Sequence, residues 1–96
     1  SPFDQLQEIV DAVGDKIDVI CEGGFQRGTH MLKALSLGAK ACAGGRLYLY
    51  ALAAAGQAGV ERALGQYKAE LERDMKLMGC TKIGDLNRNN LKFRNI

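Results

Sequence analysis

The stretch IDVICEGGFQRGTHMLKALSLGAKACAGGR, Ile17 to Arg46, decides the fold because it carries one design twice. Ile17-Asp18-Val19-Ile20-Cys21 is a short β-branched run that suits a strand. It breaks at Glu22-Gly23-Gly24, a turn that needs free backbone dihedrals. The spacing then predicts a helix from Gly28 to Leu37, with Thr29 as its cap, Leu32 and Leu35 on one face and Gly38 as its stop. Lys40-Ala41-Cys42-Ala43 reads as a second, weaker strand, and Gly44-Gly45 leads into another helix at Arg46. Strands that alternate with helices indicate parallel βαβ packing.

Outward from this unit the pattern is helical. Upstream, Phe3, Leu6, Val10 and Val13 recur at helical spacing, Ile9 widens the stripe, Ser1-Pro2 is a sound start and Gly14 a sound stop. Downstream, Arg46 to Ala55 is rich in Leu, Tyr and Ala and reads as a buried helix, which Gly56 and Gly59 interrupt. Val60, Leu64, Tyr67, Leu71, Met75 and Met78 mark one face of the longest helix, Glu72 and Lys76 pair on another, and Gly79 ends it. The remainder, 81–96, is a polar and basic tail with Ile83, Leu86, Leu91 and Phe93 as anchors. Two strands make a marginal sheet, and neither strand alternates, the pattern of strands covered on both faces. Residues 1–96 are therefore expected to be a single partial domain, a piece of a larger fold or a unit that associates with copies of itself.

Composition narrows the function classes. In 96 residues, 47% are apolar and 25% charged, which is ordinary globular composition. The longest apolar run, Leu47 to Ala55, is about half of what a bilayer crossing needs. Thirteen basic against eleven acidic residues give a net charge of +2, no strong pull toward nucleic acid or an anionic membrane. Cys21, Cys42 and Cys80 lack CxxC spacing and neighbouring ligands, which argues for reduced thiols in a cytoplasmic, reducing setting and against zinc. Met75 and Met78 at helical spacing are core filler rather than metal ligands.

The chemistry sits at the two glycine pairs. Each is expected to place bare backbone amides and a helix N-terminus at the C-terminal edge of a parallel sheet, where unpaired N–H groups and the helix dipole favour an anion, phosphate above all. Arg27 and Arg46 follow the two pairs, and a guanidinium fork suits phosphate oxygens. Glycine pairs after strands are also common in α/β proteins at large, and an Arg at a helix start is often merely solvated, so these features alone leave both readings open.

Glu22-Gly-Gly-Phe-Gln-Arg-Gly-Thr-His-Met-Leu-Lys-Ala-Leu-Ser-Leu-Gly-Ala39, then Gly45-Arg46, then Leu52-Ala-Ala-Ala-Gly-Gln-Ala-Gly-Val60 and the Met-Gly-Cys close of the long helix, resemble the C-terminal quarter of the FMN-dependent α-hydroxy-acid dehydrogenases and oxidases. The likeness runs from about Phe3 to Leu91. It implies a helix-rich α/β chain, the last two βα units of a TIM (β/α)8 barrel plus a C-terminal helical extension. It implies FMN as cofactor, with Glu22, Gly24, Gln26, Arg27, Gly45 and Arg46 as the cofactor-binding set. Two departures stand out: Glu22 occupies the place of a family Asp, and Gln26 the place of a phosphate-contacting Arg, so phosphate affinity falls or shifts to Arg27 and Arg46. His30 stands where an Asp is common.

The family's catalytic His and Arg, and its flavin-side Lys and Tyr, lie upstream of the matched stretch, so no catalytic residue is assigned here. His30, the only histidine, is expected to be an ordinary helix residue. Tyr48 and Tyr50 are expected to pack, with their hydroxyls at an edge, and Arg88, Lys92 and Arg94 to belong to a solvated tail. The expected function is the FMN-phosphate-binding portion of an enzyme that oxidises a small-molecule 2-hydroxy acid to a 2-keto acid, a homo-oligomer in its parent form and inactive as this chain alone. The alternatives are a phosphate-binding barrel piece of an inosine-monophosphate-dehydrogenase-like or isopentenyl-diphosphate-isomerase-like enzyme, and a non-enzymatic, self-associating helical module.

Overall fold

The computed structural model describes residues 2–91, with side chains from residue 4 onward. Ser1, the Phe3 side chain, Lys92, Phe93 and Arg94 lie outside the described residues. The elements follow the order α1 (Pro2–Val13), β1 (Ile20–Glu22), α2 (Gly28–Leu37), β2 (Ala41–Ala43) and α3 (Arg46–Leu77), then two 3-10 turns over Ile83–Asp85 and Arg88–Asn90.

The two strands pair in parallel, with Ile20 opposite Ala41, Cys21 opposite Cys42 and Glu22 opposite Ala43. This register matters for function: the strands end level, so both glycine pairs leave the sheet at the same edge. Both strands are shorter than the sequence pattern predicts. Ile17 is 60% exposed and sits in the turn after α1, because the Lys16 and Ile17 amides bond back to the Val13 carbonyl at 2.9 Å. Within the described residues only one face of the strand pair is covered, and the second cover expected from a larger fold lies outside this chain. Along β1, Cys21 points inward while Ile20 (64% exposed) and Glu22 point out, since helices cover only one face of the pair.

Two apolar clusters hold the layers. Leu6 of α1, Cys21, Phe25, Ala34, Leu37 and Ala39 form the cluster beneath the sheet, with Val10, Val19 and Met31 against it. Leu32 of α2, Met75 of α3, Cys80 and Leu86 form the other, with Leu35, Leu71 and Met78 packed on it. Leu86 and Leu91 anchor the tail as expected, whereas Ile83 is 52% exposed. Arg88 donates to Asp11 of α1 at 2.6 Å, which ties the tail to the first helix.

The expected ends of α2 hold in part. Gly38 closes it at φ 115, where a side chain would be strained, and the Gly38 and Ala39 amides bond to Leu35 and Ala34 carbonyls. The N-cap is Arg27, not Thr29, and no side chain of this helix caps it. Thr29 instead donates its hydroxyl to Asp74 of α3 at 2.5 Å. The two downstream helices expected around Gly56 and Gly59 are two limbs of α3 about a kink at Ala55 and Gly56, the only residues in it with non-helical dihedrals. Gly59 is helical. The second limb packs on α2 from Tyr67 onward; the first stands largely free, with Leu49, Tyr50 and Leu52 at 60, 68 and 53% exposure.

Candidate functional site

The two strand-to-helix junctions enclose one open hollow of about 730 Å³. Glu22, Gly23, Gly24, Phe25 and Gln26 line it from the first junction; Gly44, Gly45, Arg46, Leu47 and Tyr50 line it from the second. Five of the six residues picked from sequence (Glu22, Gly24, Gln26, Gly45 and Arg46) thus meet in a single concavity.

The floor of the hollow is backbone. Gly24 has φ +70, and a Cβ built there meets nothing within 4 Å, so a side chain would project into open space and strain the chain. Glycine here leaves the backbone bare toward the hollow. At Gly45 a Cβ would meet the Glu22 Oε1 at 3.2 Å, so the carboxylate of the first junction lies directly over the second glycine pair. Gly45 is the N-cap of α3; neither a capping side chain nor an acidic residue in the first turn attends this helix start. The α3 N-terminus therefore meets the hollow with its amides uncapped by side chains, and Arg46 supplies a cation beside them.

Arg27 lies elsewhere. Its Nε and Nη2 donate to the Glu70 carboxylate of α3 at 3.3 and 3.4 Å, and the Gly28 amide donates to the same carboxylate at 3.0 Å. The α2 N-terminus, expected to greet a phosphate, is thus already occupied by a carboxylate of this chain. Those bonds, that from Arg27 foremost, hold the Glu70 carboxyl below its ordinary value. The Thr29 hydroxyl, and after it Arg73, does the same for Asp74. Glu70 and Asp74 escaped the sequence reading. Their signal, two acids four apart on the α3 face that also carries Leu71 and Met75, is indistinguishable from a solvated helix face until α2 is docked against it.

Other residues are less involved. The Gln26 amide donates to Nδ1 of His30 at 3.2 Å, so the histidine braces the loop from within, as an ordinary helix residue can. Tyr48 is half-buried against Gly44, but Tyr50 is 68% exposed at the rim of the hollow, so the packing expected of it does not occur within this chain. All three cysteines are free. Burial, and secondarily the neighbouring Cys21, pushes the Cys42 thiol up to about 11, which leaves it protonated at neutral pH. No group of three or more metal-binding side chains occurs among the described residues, and no described helix is long and apolar enough to cross a membrane.

A sheet edge with two glycine turns, one helix N-terminus without a capping side chain and an adjacent arginine has the chemistry to receive an anion. The family model of the FMN-dependent dehydrogenases matches residues 1–93, and the chain belongs to that family. It is 44% identical over 90 residues to a peroxisomal (S)-2-hydroxyacid oxidase of Arabidopsis thaliana, a match covering 94% of this chain and 25% of that protein. It is 44% identical over 84 residues to an L-lactate oxidase of Nostoc, covering 88% of this chain and 23% of the relative. Among solved structures, a soluble mutant of the membrane-associated (S)-mandelate dehydrogenase from Pseudomonas putida superposes with a TM-score of 0.91 at 38% identity, covering 98% of this chain and 26% of that one. The flavin-binding domain of baker's yeast flavocytochrome b2 superposes with a TM-score of 0.84 at 36% identity, over 98% of this chain and 28% of that one. The chain spans about a quarter of the length of the curated relatives it matches.

The residues present fit the family's cofactor, FMN. A phosphate monoester needs several convergent N–H donors in a space without side chains, and Gly24, whose φ of +70 favours glycine, lines the hollow with bare backbone.

Proposed function

We propose that this chain is the FMN-phosphate-holding portion of a flavin oxidoreductase that oxidises a small 2-hydroxy acid to a 2-keto acid. In this reading residues 1–96 are one partial domain, the last two βα units of a (β/α)8 barrel with 81–96 as a C-terminal tail. The carrying observation is the shared hollow: the level register of β1 and β2 brings Gly24, Gly45 and Arg46 to one sheet edge. The barrel placement is supported by the open sheet face at Ile20 and the bare first limb of α3, surfaces that further staves would cover.

Each residue has a bounded task. The Gly24 backbone and the amides at the start of α3 offer donors to the phosphate, and Arg46 adds charge. Gln26 offers an amide N–H in place of a guanidinium, so the hollow holds one cation against the Glu22 carboxylate and relies on backbone dipoles more than on charge. Glu22 at the wall accepts hydrogen bonds from a polyol hydroxyl, a contact that suits a ribityl chain. When bound, FMN takes up the electron pair that leaves the hydroxy acid; the chain's own work is to bind it and fix its orientation. No catalytic base is assigned to this chain, since His30 is engaged by its own loop and the Glu22 carboxylate is given to the polyol, so turnover is expected to need residues beyond it. We further propose that the parent enzyme is a homo-oligomer and works in a reducing compartment; the three free thiols support the latter.

The test is to purify the protein at full length and record its visible spectrum and its turnover of glycolate, lactate and mandelate. A flavin spectrum with turnover of one of these is expected. A folded, colourless, inactive product overturns the assignment.

A further inference from the structure

The Glu70 carboxylate reaches across from the second limb of α3 and takes three donors at the start of α2: the Gly28 amide at 3.0 Å and the Arg27 Nε and Nη2 at 3.3 and 3.4 Å. Its side chain is 13% exposed, and Asp74, one turn on, takes the Thr29 hydroxyl at 2.5 Å. The fit is close. A Cβ on Gly28 would lie 2.5 Å from the Tyr67 carbonyl oxygen, 2.8 Å from the Glu70 Cβ and 2.8 Å from the Leu71 nitrogen. Nothing on α2 itself could replace this contact, since that helix has no side-chain cap and no acid in its first turn. The two residues so held, the N-cap Arg27 and the first helical residue Gly28, directly follow Gly24-Phe25-Gln26, the lining of the hollow.

We propose that Glu70 is a positioning residue for the cofactor loop: its carboxylate fills the anion seat at the α2 N-terminus and holds Arg27 there, which fixes Gly24 to Gln26 and leaves the α3 N-terminus with Arg46 as the single seat for the phosphate. This rests on the reading of the hollow as the FMN-phosphate cradle. The helices do not need Glu70 to stay together. Leu32, Met75, Cys80 and Leu86 pack α2 and α3 below it, so its loss loosens the Arg27–Gly28 end of the loop while that cluster and the buried Phe25 remain.

The experiment uses the full-length protein and reads the FMN dissociation constant by flavin fluorescence, the melting temperature of the apoprotein, and kcat and KM for the hydroxy acid at saturating FMN. Glu70→Ala is expected to raise the FMN dissociation constant at least ten-fold, while saturating FMN restores kcat and KM to within two-fold of wild type. Glu70→Gln keeps an acceptor for the Gly28 amide and is expected to stay within three-fold. Glu70→Asp retracts the carboxylate by one methylene and is expected to raise the constant several-fold; it decides the matter should the alanine variant fail to fold. FMN binding as tight as wild type in the Ala or Asp variant overturns the proposal. So does a loss in kcat that saturating FMN does not restore, since that marks a general structural defect. A wild-type protein that binds no FMN strikes instead at the functional assignment itself.

Discussion

The two strand-to-helix junctions look alike in sequence and differ in what meets their helix starts. Both run strand, Gly-Gly, then helix, with an arginine close behind. At the first, a carboxylate from 42 residues away closes the helix N-terminus and captures the arginine. At the second, the helix start has no side-chain cap and its arginine faces the hollow. Equal backbone motifs therefore have unequal electrostatics, because the neighbour that docks on each is different. A helix N-terminus attracts anions, and where packing seats a carboxylate of the chain on its amide, as Glu70 sits on Gly28, a free anion is outcompeted.

This contrast can be broken at several points. The largest effect is expected under the first junction: Leu32→Ala empties a site only 4% exposed between α2 and α3 and should cost about 2–5 kcal/mol in urea unfolding. If the clusters are independent, Leu52→Ala, on the bare limb at 53% exposure, should cost this chain less than about 0.5 kcal/mol. Next come the arginines. Arg46→Ala removes the cation of the open seat and should weaken FMN by about 1.5–3 kcal/mol, roughly ten- to a hundred-fold, in the full-length protein. Arg27→Ala breaks a pair whose arginine is 59% exposed and should cost less than about 1 kcal/mol in stability. Equal losses of FMN affinity from both would erase the distinction between the junctions.

Gly28→Ala forces a methyl against the α3 backbone and should destabilise by about 1–3 kcal/mol, read as a lower melting temperature. Gly65→Ala, also in a helix but with nothing within 4 Å of the added Cβ, should stabilise by about 0.5–1 kcal/mol. Acid provides the mildest probe. Glu70 and Asp74 are held below their ordinary values of 4.5 and 3.8, so each contributes stability above those values that is lost as pH falls through its lowered folded value. Stability should therefore decline below about pH 4.5, and a Glu70→Gln, Asp74→Asn double variant should flatten that acid limb in pH-dependent denaturation.

Much of this was readable beforehand. The helix from Gly28 to Leu37, its stop at Gly38, the parallel strand pair and the glycine turns follow from spacing and from residues with few conformational choices. The strand limits at Ile17 and Lys40 were not, because β-branched runs state a preference for extension while only a partner defines where pairing ends. Thr29 as a cap and Tyr50 as packing failed for one reason: each is locally sensible and was redirected by, or left without, a distant neighbour.

By itself the chain determined the local geometry of the cradle, since glycine and helix-start chemistry act over four or five residues. Only the tertiary structure decided which of two matched helix starts stays open to an anion. The interaction that settles it, Glu70 on Gly28 and Arg27, depends on α3 folding back across α2, and a contact between residues so far apart in sequence has no periodicity to announce it.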